Sequence, residues 1–396
     1  MKKHLKAYAL PAVLVMSAVV LLMIFFAYDS LALKYRRYAL YREAHQEREN
    51  HTSALNLYLY DSLLCAAGDS ADIFLFDGED SVHVAVSDWG LYELVRLSNS
   101  SPDALTMLVG RRTECPAEAA FWICDRNRAL SLSADARIEG LAYIPMNGLN
   151  YTEIASRYYS GLPLPESDLR LSGPDLPPLD SVAFRKASEL CLLWRKKNKD
   201  MSLSDCLFGE RVVLSENLQL PSDALVSART VTVEKGFEGT AQIFASDTVI
   251  VEDGAVLRFP SGIFVNAVDD SHFSDDSYSS DDCHSGACRP FVRLGSDSDV
   301  SGYIAVFSEN ADSGLRFPSY IQEHGSTLRG LLCIDGSCEL AGNVYGAAYI
   351  RDCYHRSGGN TFPGTLCDAR FVRSDSLAFP ILLSGAYTRK TIKKIY

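Results

Sequence analysis

The chain has 396 residues, 47% of them hydrophobic and 22% charged, which is enough to bury a sizeable core and excludes disorder throughout. Its formal net charge of -12 excludes nucleic acid as the partner of the bulk of the chain, because that binding needs clustered Lys and Arg against phosphates.

Residues 1–8 read as a short cytoplasmic tail and residues 9–28 as a transmembrane anchor. No Asp, Glu, Lys or Arg interrupts the chain from Ala7 to Tyr28, and a helix needs ~20 apolar residues to cross the hydrocarbon core. The run outlasts the ~7–15 apolar residues of a cleaved signal, for which Ser30-Leu31-Ala32 is the one candidate site, so the anchor is expected to be retained. Lys2, Lys3 and Lys6 precede the span while Lys34, Arg36, Arg37 and Arg42 follow it, which leaves the positive-inside count nearly balanced. Paired cysteines and a β-rich remainder tip the expectation toward a single-pass inner-membrane protein with its body facing the periplasm or exterior.

From Leu31 to Leu64 there is no Pro or Gly, and Leu55, Tyr58, Leu59 and Leu63 recur at helical spacing, predicting a helical stalk over residues 29–67. An apolar N-terminal helix running into a stalk that carries a β-rich body resembles the layout of type IV pilins and pseudopilins. That resemblance covers the anchor and stalk and implies a pilus-like subunit. The prepilin motif itself is absent, since the first glycine is Gly68 and the first glutamate Glu43. Asp-Ser or Asp-Thr before an apolar residue, at Asp29, Asp61, Asp69, Asp80, Asp180, Asp247 and Asp375, is similar to the O-glycosylation motif of envelope proteins in Bacteroidota.

Residues 68–132 predict a small β-rich unit: Ile73 to Phe76 and Val82 to Val86 flank the turn pair Asp77-Gly78, and Phe121 to Ile123 adds a short run. Residues 133–180 predict a first solenoid-like segment with a Pro-rich loop. Within it, Ile138-Glu139-Gly140-Leu141-Ala142-Tyr143-Ile144 recurs as Val344-Tyr345-Gly346-Ala347-Ala348-Tyr349-Ile350, and short strands with Gly at a bend suit stacked β-coils. Residues 181–209 predict a helical insertion capped by Asp180, with Val182, Leu190, Leu193 and Trp194 on its apolar face and Arg195, Lys196, Lys197 and Lys199 at its end.

Over residues 210–396, apolar runs such as Thr230 to Val233, Thr248 to Val251 and Ile263 to Val265 are parted by turn pairs including Lys235-Gly236, Asp253-Gly254 and Ser261-Gly262. They predict a mainly β protein whose body is a β-solenoid (β-helix-like), with a β-sandwich as the alternative. An acidic loop at residues 269–282 interrupts it. There Asp269, Asp270, Asp275, Asp276, Asp281 and Asp282 are candidate calcium ligands, although their spacing fits no EF-hand and a solvated loop competes with that reading.

Ten of eleven cysteines fall into neighbouring couples: Cys115 with Cys124, Cys191 with Cys206, Cys283 with Cys288, Cys333 with Cys338, and Cys353 with Cys367. They are disulfide candidates in an oxidising compartment. Zinc thiolates and plain buried apolar residues are the competing readings. No catalytic residue and no cofactor-binding motif stands out: there is no G-x-S-x-G elbow and no glycine loop that opens a helix. The expectation is a non-enzymatic envelope protein that presents its body to other envelope proteins or glycan. A polysaccharide-processing enzyme on a β-helix is the rival, requiring two carboxylates ~5–9 Å apart.

Overall fold

The computed structural model describes residues 9–60, 65, 68–78, 80–99, 104–113, 119–195, 206–218, 220–221, 224–267, 289–308, 318–374, 379–384 and 387–394. The chain is mainly β, 51% strand and 21% helical, with one long N-terminal apolar helix. It divides into two units, one of Met1–Cys65, Ser70–Ala85 and Arg96–Leu105, the other of Ala66–Asp69, Val86–Val95 and Thr106–Tyr396.

In the first unit, α1 (Ala9–Tyr60) is one helix of 52 residues. It runs through Asp29 without a break, so the predicted anchor and the start of the stalk are one continuous helix. The helix is long and apolar enough to span a membrane, and its most apolar window is not buried against the rest of the chain. At its far end Asn50, His51, Ala54, Leu55 and Tyr58, spaced three and four apart, are buried. Asn50 Nδ2 donates to Asp80 Oδ2 at 3.0 Å, tying that end to a hairpin. The hairpin is β1 (Ser70–Leu75) and β2 (Asp80–Trp89), antiparallel from Ser70↔Ala85 to Leu75↔Asp80. Asp77 (φ 56°) and Gly78 (φ 92°) turn it through the left-handed region, which Gly adopts without cost and Asp tolerates.

By way of β2, β3 (Tyr92–Ser98) and β4 (Leu105–Thr113) the chain passes into the second unit. Its first group of strands is β5 (Phe121–Ile123), β6 (Leu130–Ser133), β7 (Arg137–Glu139), β8 (Ala142–Ile144), β9 (Leu149–Tyr151) and β10 (Leu169–Leu171), followed by α2 (Ser181–Cys191). Next come β11 (Cys206–Leu214), β12 (Leu225–Val233), β13 (Glu238–Gly239), β14 (Gln242–Val251), β15 (Val256–Ala267), β16 (Phe291–Leu294), β17 (Asp299–Ser308) and β18 (Tyr320–Gln322). The last are β19 (Thr327–Leu340), β20 (Asn343–Ser357), β21 (Asn360–Pro363), β22 (Thr365–Cys367), β23 (Arg370–Arg373) and β24 (Tyr387–Lys394), which pairs antiparallel with β4.

Parallel pairing dominates. One ladder runs β11–β12–β14–β15–β17–β19–β20 in chain order and then continues through β5, β8 and β10, which come earlier in the sequence. A second joins Thr248–Val251 of β14 to β16, β18 and then Cys338–Leu340 of β19. A third links the starts of β15, β17, β19 and β20 to β23 and β7. Because β14 and β19 each serve two ladders, the pairings β14–β15–β17–β19–β18–β16 return to β14, and these six parallel strands close as a barrel.

Alternation along each strand sorts side chains to two sides. Ile243, Ile263, Ile304, Leu332, Ala348 and Phe121 occupy one register column and all belong to the inner core. The adjacent column, Phe244, Phe264, Ala305, Cys333, Tyr349 and Trp122, faces the other way into a second apolar layer. That layer is covered by Ala183, Ala187 and Cys191 of α2. Small residues four apart let the helix approach the sheet closely. Of the predicted apolar positions, Leu190 packs against this layer, whereas Val182 is exposed. The predicted cap holds: Asp180 accepts from the N–H groups of Val182 at 3.1 Å and Ala183 at 3.0 Å.

At one corner Gly302, Gly330 and Gly346 stand in register with φ of 143°, 145° and 146°. A Cβ on Gly330 would lie 1.7 Å from the carbonyl oxygen of Gly302, and one on Gly346 2.0 Å from that of Gly330. Only glycine fits where neighbouring backbones turn this closely.

Candidate functional site

Charged and titratable groups gather where the early strands β5, β6 and β7 pair with the late strands β20, β22 and β23. Arg128 pairs with Asp352, Arg157 Nη1 donates to Asp368 Oδ2 at 2.6 Å, and Arg370 Nη2 donates to Glu139 Oε1 at 2.7 Å. Each pair joins residues more than 200 apart in the sequence. Aromatic rings reinforce the junction, with Phe121 and Phe371 at 4.6 Å and Trp122 stacked on Tyr143 at 4.2 Å between centroids.

Asp368 stands beside Cys367 and Arg157, and its charge, with that of Glu339, acts on His355. These residue types can build a nucleophilic site, but their electrostatics oppose it. Burial, assisted by the Asp368 charge, pushes the Cys367 thiol up to about 11, so it is protonated near neutral pH and a poor nucleophile. Burial raises Asp368, yet hydrogen bonds from Arg157 and the Asp135 N–H outweigh it and hold the carboxyl below its ordinary value. Desolvation lowers His355 against the opposing charges of Glu339 and Asp368 and favours the neutral ring. For Asp352 the balance reverses, because burial outweighs Arg128 and raises it.

Further Arg–carboxylate pairs run along the outer faces. Arg258 donates to Glu238 at 2.9 Å and Arg293 to Glu323 at 2.7 Å, while Arg329 pairs with Asp299 and Arg351 with Asp335. Each bridges neighbouring strands of a parallel ladder. The more exposed of these pairs contribute ~0–1 kcal/mol each, whereas burying one Ile or Leu of the inner columns contributes ~1.5–3 kcal/mol. The columns therefore supply the stability, and the ion pairs favour one register.

The disulfide expectation is corrected. Cys65, Cys124, Cys191, Cys206, Cys333, Cys338, Cys353 and Cys367 are all free thiols. Cys333 and Cys338 share the extended strand β19 and belong to opposite layers, so its rise of ~3.3 Å per residue keeps their Cα atoms beyond the ~4.4–6.8 Å a disulfide needs. Cys191 ends α2 in the outer layer, its Sγ 3.8 Å from the Phe264 carbonyl, while Cys206 opens β11. Cys353 lies in the inner core, and Cys367 turns its Sγ to Asp368 at 3.7 Å. Most of these thiols act as small buried apolar groups. Cys115, Cys283 and Cys288 lie outside the described residues, as do Asp269, Asp270, Asp275, Asp276, Asp281 and Asp282. Among the described residues no three His, Cys, Asp or Glu side chains are placed to hold a metal ion.

The junction itself is not named by any single motif, but one signal pointed to it. The two copies of the repeated heptapeptide lie on either side of β5, through Ala348↔Phe121 and Phe121↔Ala142. The chain matches no family model, no curated protein and no solved structure.

Proposed function

We propose that this is a non-enzymatic, single-pass cell-envelope protein that presents a β-solenoid body for assembly or adhesion with other envelope proteins or glycan. The observation that carries the reading is α1: its apolar window is 0% buried, so the helix needs a hydrocarbon phase to cover it. In this reading the anchor sits in the inner membrane and the body faces the periplasm or exterior. The solenoid assignment is supported by three parallel ladders whose strands bend from one ladder into the next, and by the glycine column at a shared corner. A non-enzymatic role is supported by carboxylates committed to arginine partners along the outer faces, which leaves them poorly placed as a general acid and base.

Alkaline carbonate extraction of membranes, combined with protease treatment of intact spheroplasts, tests this reading. The chain should stay in the pellet, and its body should be digested from outside. Release by carbonate, or a body protected until the spheroplasts are lysed, would overturn it.

A further inference from the structure

The two ends of the long parallel ladder are finished differently. At the β10 end the chain between β9 and β10 packs against the core: Tyr159 tilts against Tyr151 with centroids 4.6 Å apart, and the Leu164 N–H donates to the Tyr151 hydroxyl at 2.8 Å. At the other end β11 pairs with β12 on one edge, and among the described residues no strand pairs with its other edge. Leu207 and Val212, in register with the inner-core residues Val226 and Val231, are only half-buried there, as are Leu218 and Leu220. Phe208 and Val213, which point to the outer side, are each 42% exposed. An unpaired edge above a half-covered core is a template for another strand.

The pattern of β11 identifies the occupant. Leu207, Gly209, Val212 and Leu214 stand in register with inner-core residues of β12, while Phe208, Glu210, Arg211 and Val213 lie on the other side. From Leu207 to Leu214 the order is therefore in, out, in, out, then out, in, out, in. That order is unchanged when read backwards. An antiparallel copy centred between Glu210 and Arg211 places Leu207 opposite Leu214, Phe208 opposite Val213, and Glu210 opposite Arg211, every residue meeting one on its own side. Cross-strand pairs of apolar residues and of opposite charge stabilise a sheet. Glu210 is free to make this contact, since its side chain is 72% exposed and its link to Arg229 is long, at 3.5 Å.

We propose that two copies of this chain join through β11 in a two-fold, antiparallel strand pair that continues the inner core from one body into the other. The contact is self-complementary and closes as a dimer instead of growing into a filament. It goes beyond the reading of the chain as an envelope protein and does not depend on where the anchor resides.

The test uses the full chain in detergent. Phe208→Cys combined with Val213→Cys, in a Cys206→Ser background, should give a reductant-sensitive dimer on mild oxidation, with peptides linked 208 to 213. Glu210→Arg should weaken the dimer by about tenfold, because like charges then face each other twice across the axis, and adding Arg211→Glu should restore it. Circular dichroism reports whether the variants remain folded. A monomeric wild-type chain, dimers indifferent to both charge variants, or residue 208 linked only to itself or to another protein would each overturn the proposal.

Discussion

Arg128 and Asp352, 224 residues apart in the sequence, pair where the ladder leaves chain order. Asp352 has only 13% side-chain exposure and is raised by burial even with the guanidinium beside it, so Arg128 offsets a real desolvation cost. Arg128→Ala removes the cation that hydrogen-bonds this carboxylate and leaves only the weaker pull of Arg126. Because Arg128 keeps 33% exposure, the expected loss is about 2 kcal/mol, below the ~3–5 kcal/mol of a fully buried pair. Urea unfolding of the detergent-solubilised chain measures it, and Arg128→Ala with Asp352→Asn together should lose less than Arg128→Ala alone.

Acid should act on the same junction through Asp368. Its folded carboxyl titrates below its ordinary value of 3.8, so it contributes stability at neutral pH that is lost as pH falls through the folded value. Asp368→Asn should lower stability at pH 7 and flatten the acid limb of a stability-against-pH curve below about pH 4. Equal acid limbs in the variant and wild type would exclude Asp368 as the source.

The corner glycines make a sharper prediction. Gly330 has φ 145° and a neighbouring carbonyl oxygen 1.7 Å from where a Cβ would lie, so Gly330→Ala must shift backbone in two strands at once. A loss above about 3 kcal/mol is expected, against about 1 kcal/mol or less for Gly173→Ala, where a Cβ meets nothing within 4 Å and the backbone is outside the left-handed region. Thermal unfolding of the two variants side by side distinguishes crowding from a general loss of glycine.

Thiol chemistry offers a direct check on the corrected disulfide reading. Burial pushes Cys124 up to about 12, and Cys191, Cys333, Cys338 and Cys353 are raised in the same way. In the native chain these thiols should resist maleimide at pH 7, Cys206, only half-buried, should label sooner, and all should label after denaturation without reductant. Non-reducing digestion that recovered a Cys333–Cys338 or Cys353–Cys367 link would contradict the fold around them.

Much of this architecture was legible in the residues because it follows from local rules. The uninterrupted apolar run predicted α1, Asp180 marked the start of α2, and β-branched runs parted by glycine-bearing turns predicted short strands. The order of the rungs was harder to read, because pairing between strands depends on contacts remote in sequence that no local pattern encodes. Only the likeness between residues 138–144 and residues 344–350 hinted that the two segments share a ladder. The cysteine couples misled because nearness in sequence is not nearness in space: on one strand, alternation sends Cys333 and Cys338 to different layers. The arginine partners were invisible for a related reason, since Arg157 finds Asp368 only once the ladder has closed.

The measurement that most directly tests this account joins the early strands to the late ones. Glu139 of β7 and Val372 of β23 are register partners in neighbouring parallel strands, and strands ~4.8 Å apart bring Cα atoms within the ~4.4–6.8 Å span of a disulfide. In the full chain carrying Glu139→Cys and Val372→Cys, mild oxidation should give an intramolecular link between residues 139 and 372, recovered by non-reducing digestion. If no such link forms while the chain remains folded, or if the two cysteines link only to other positions, the out-of-order ladder is wrong.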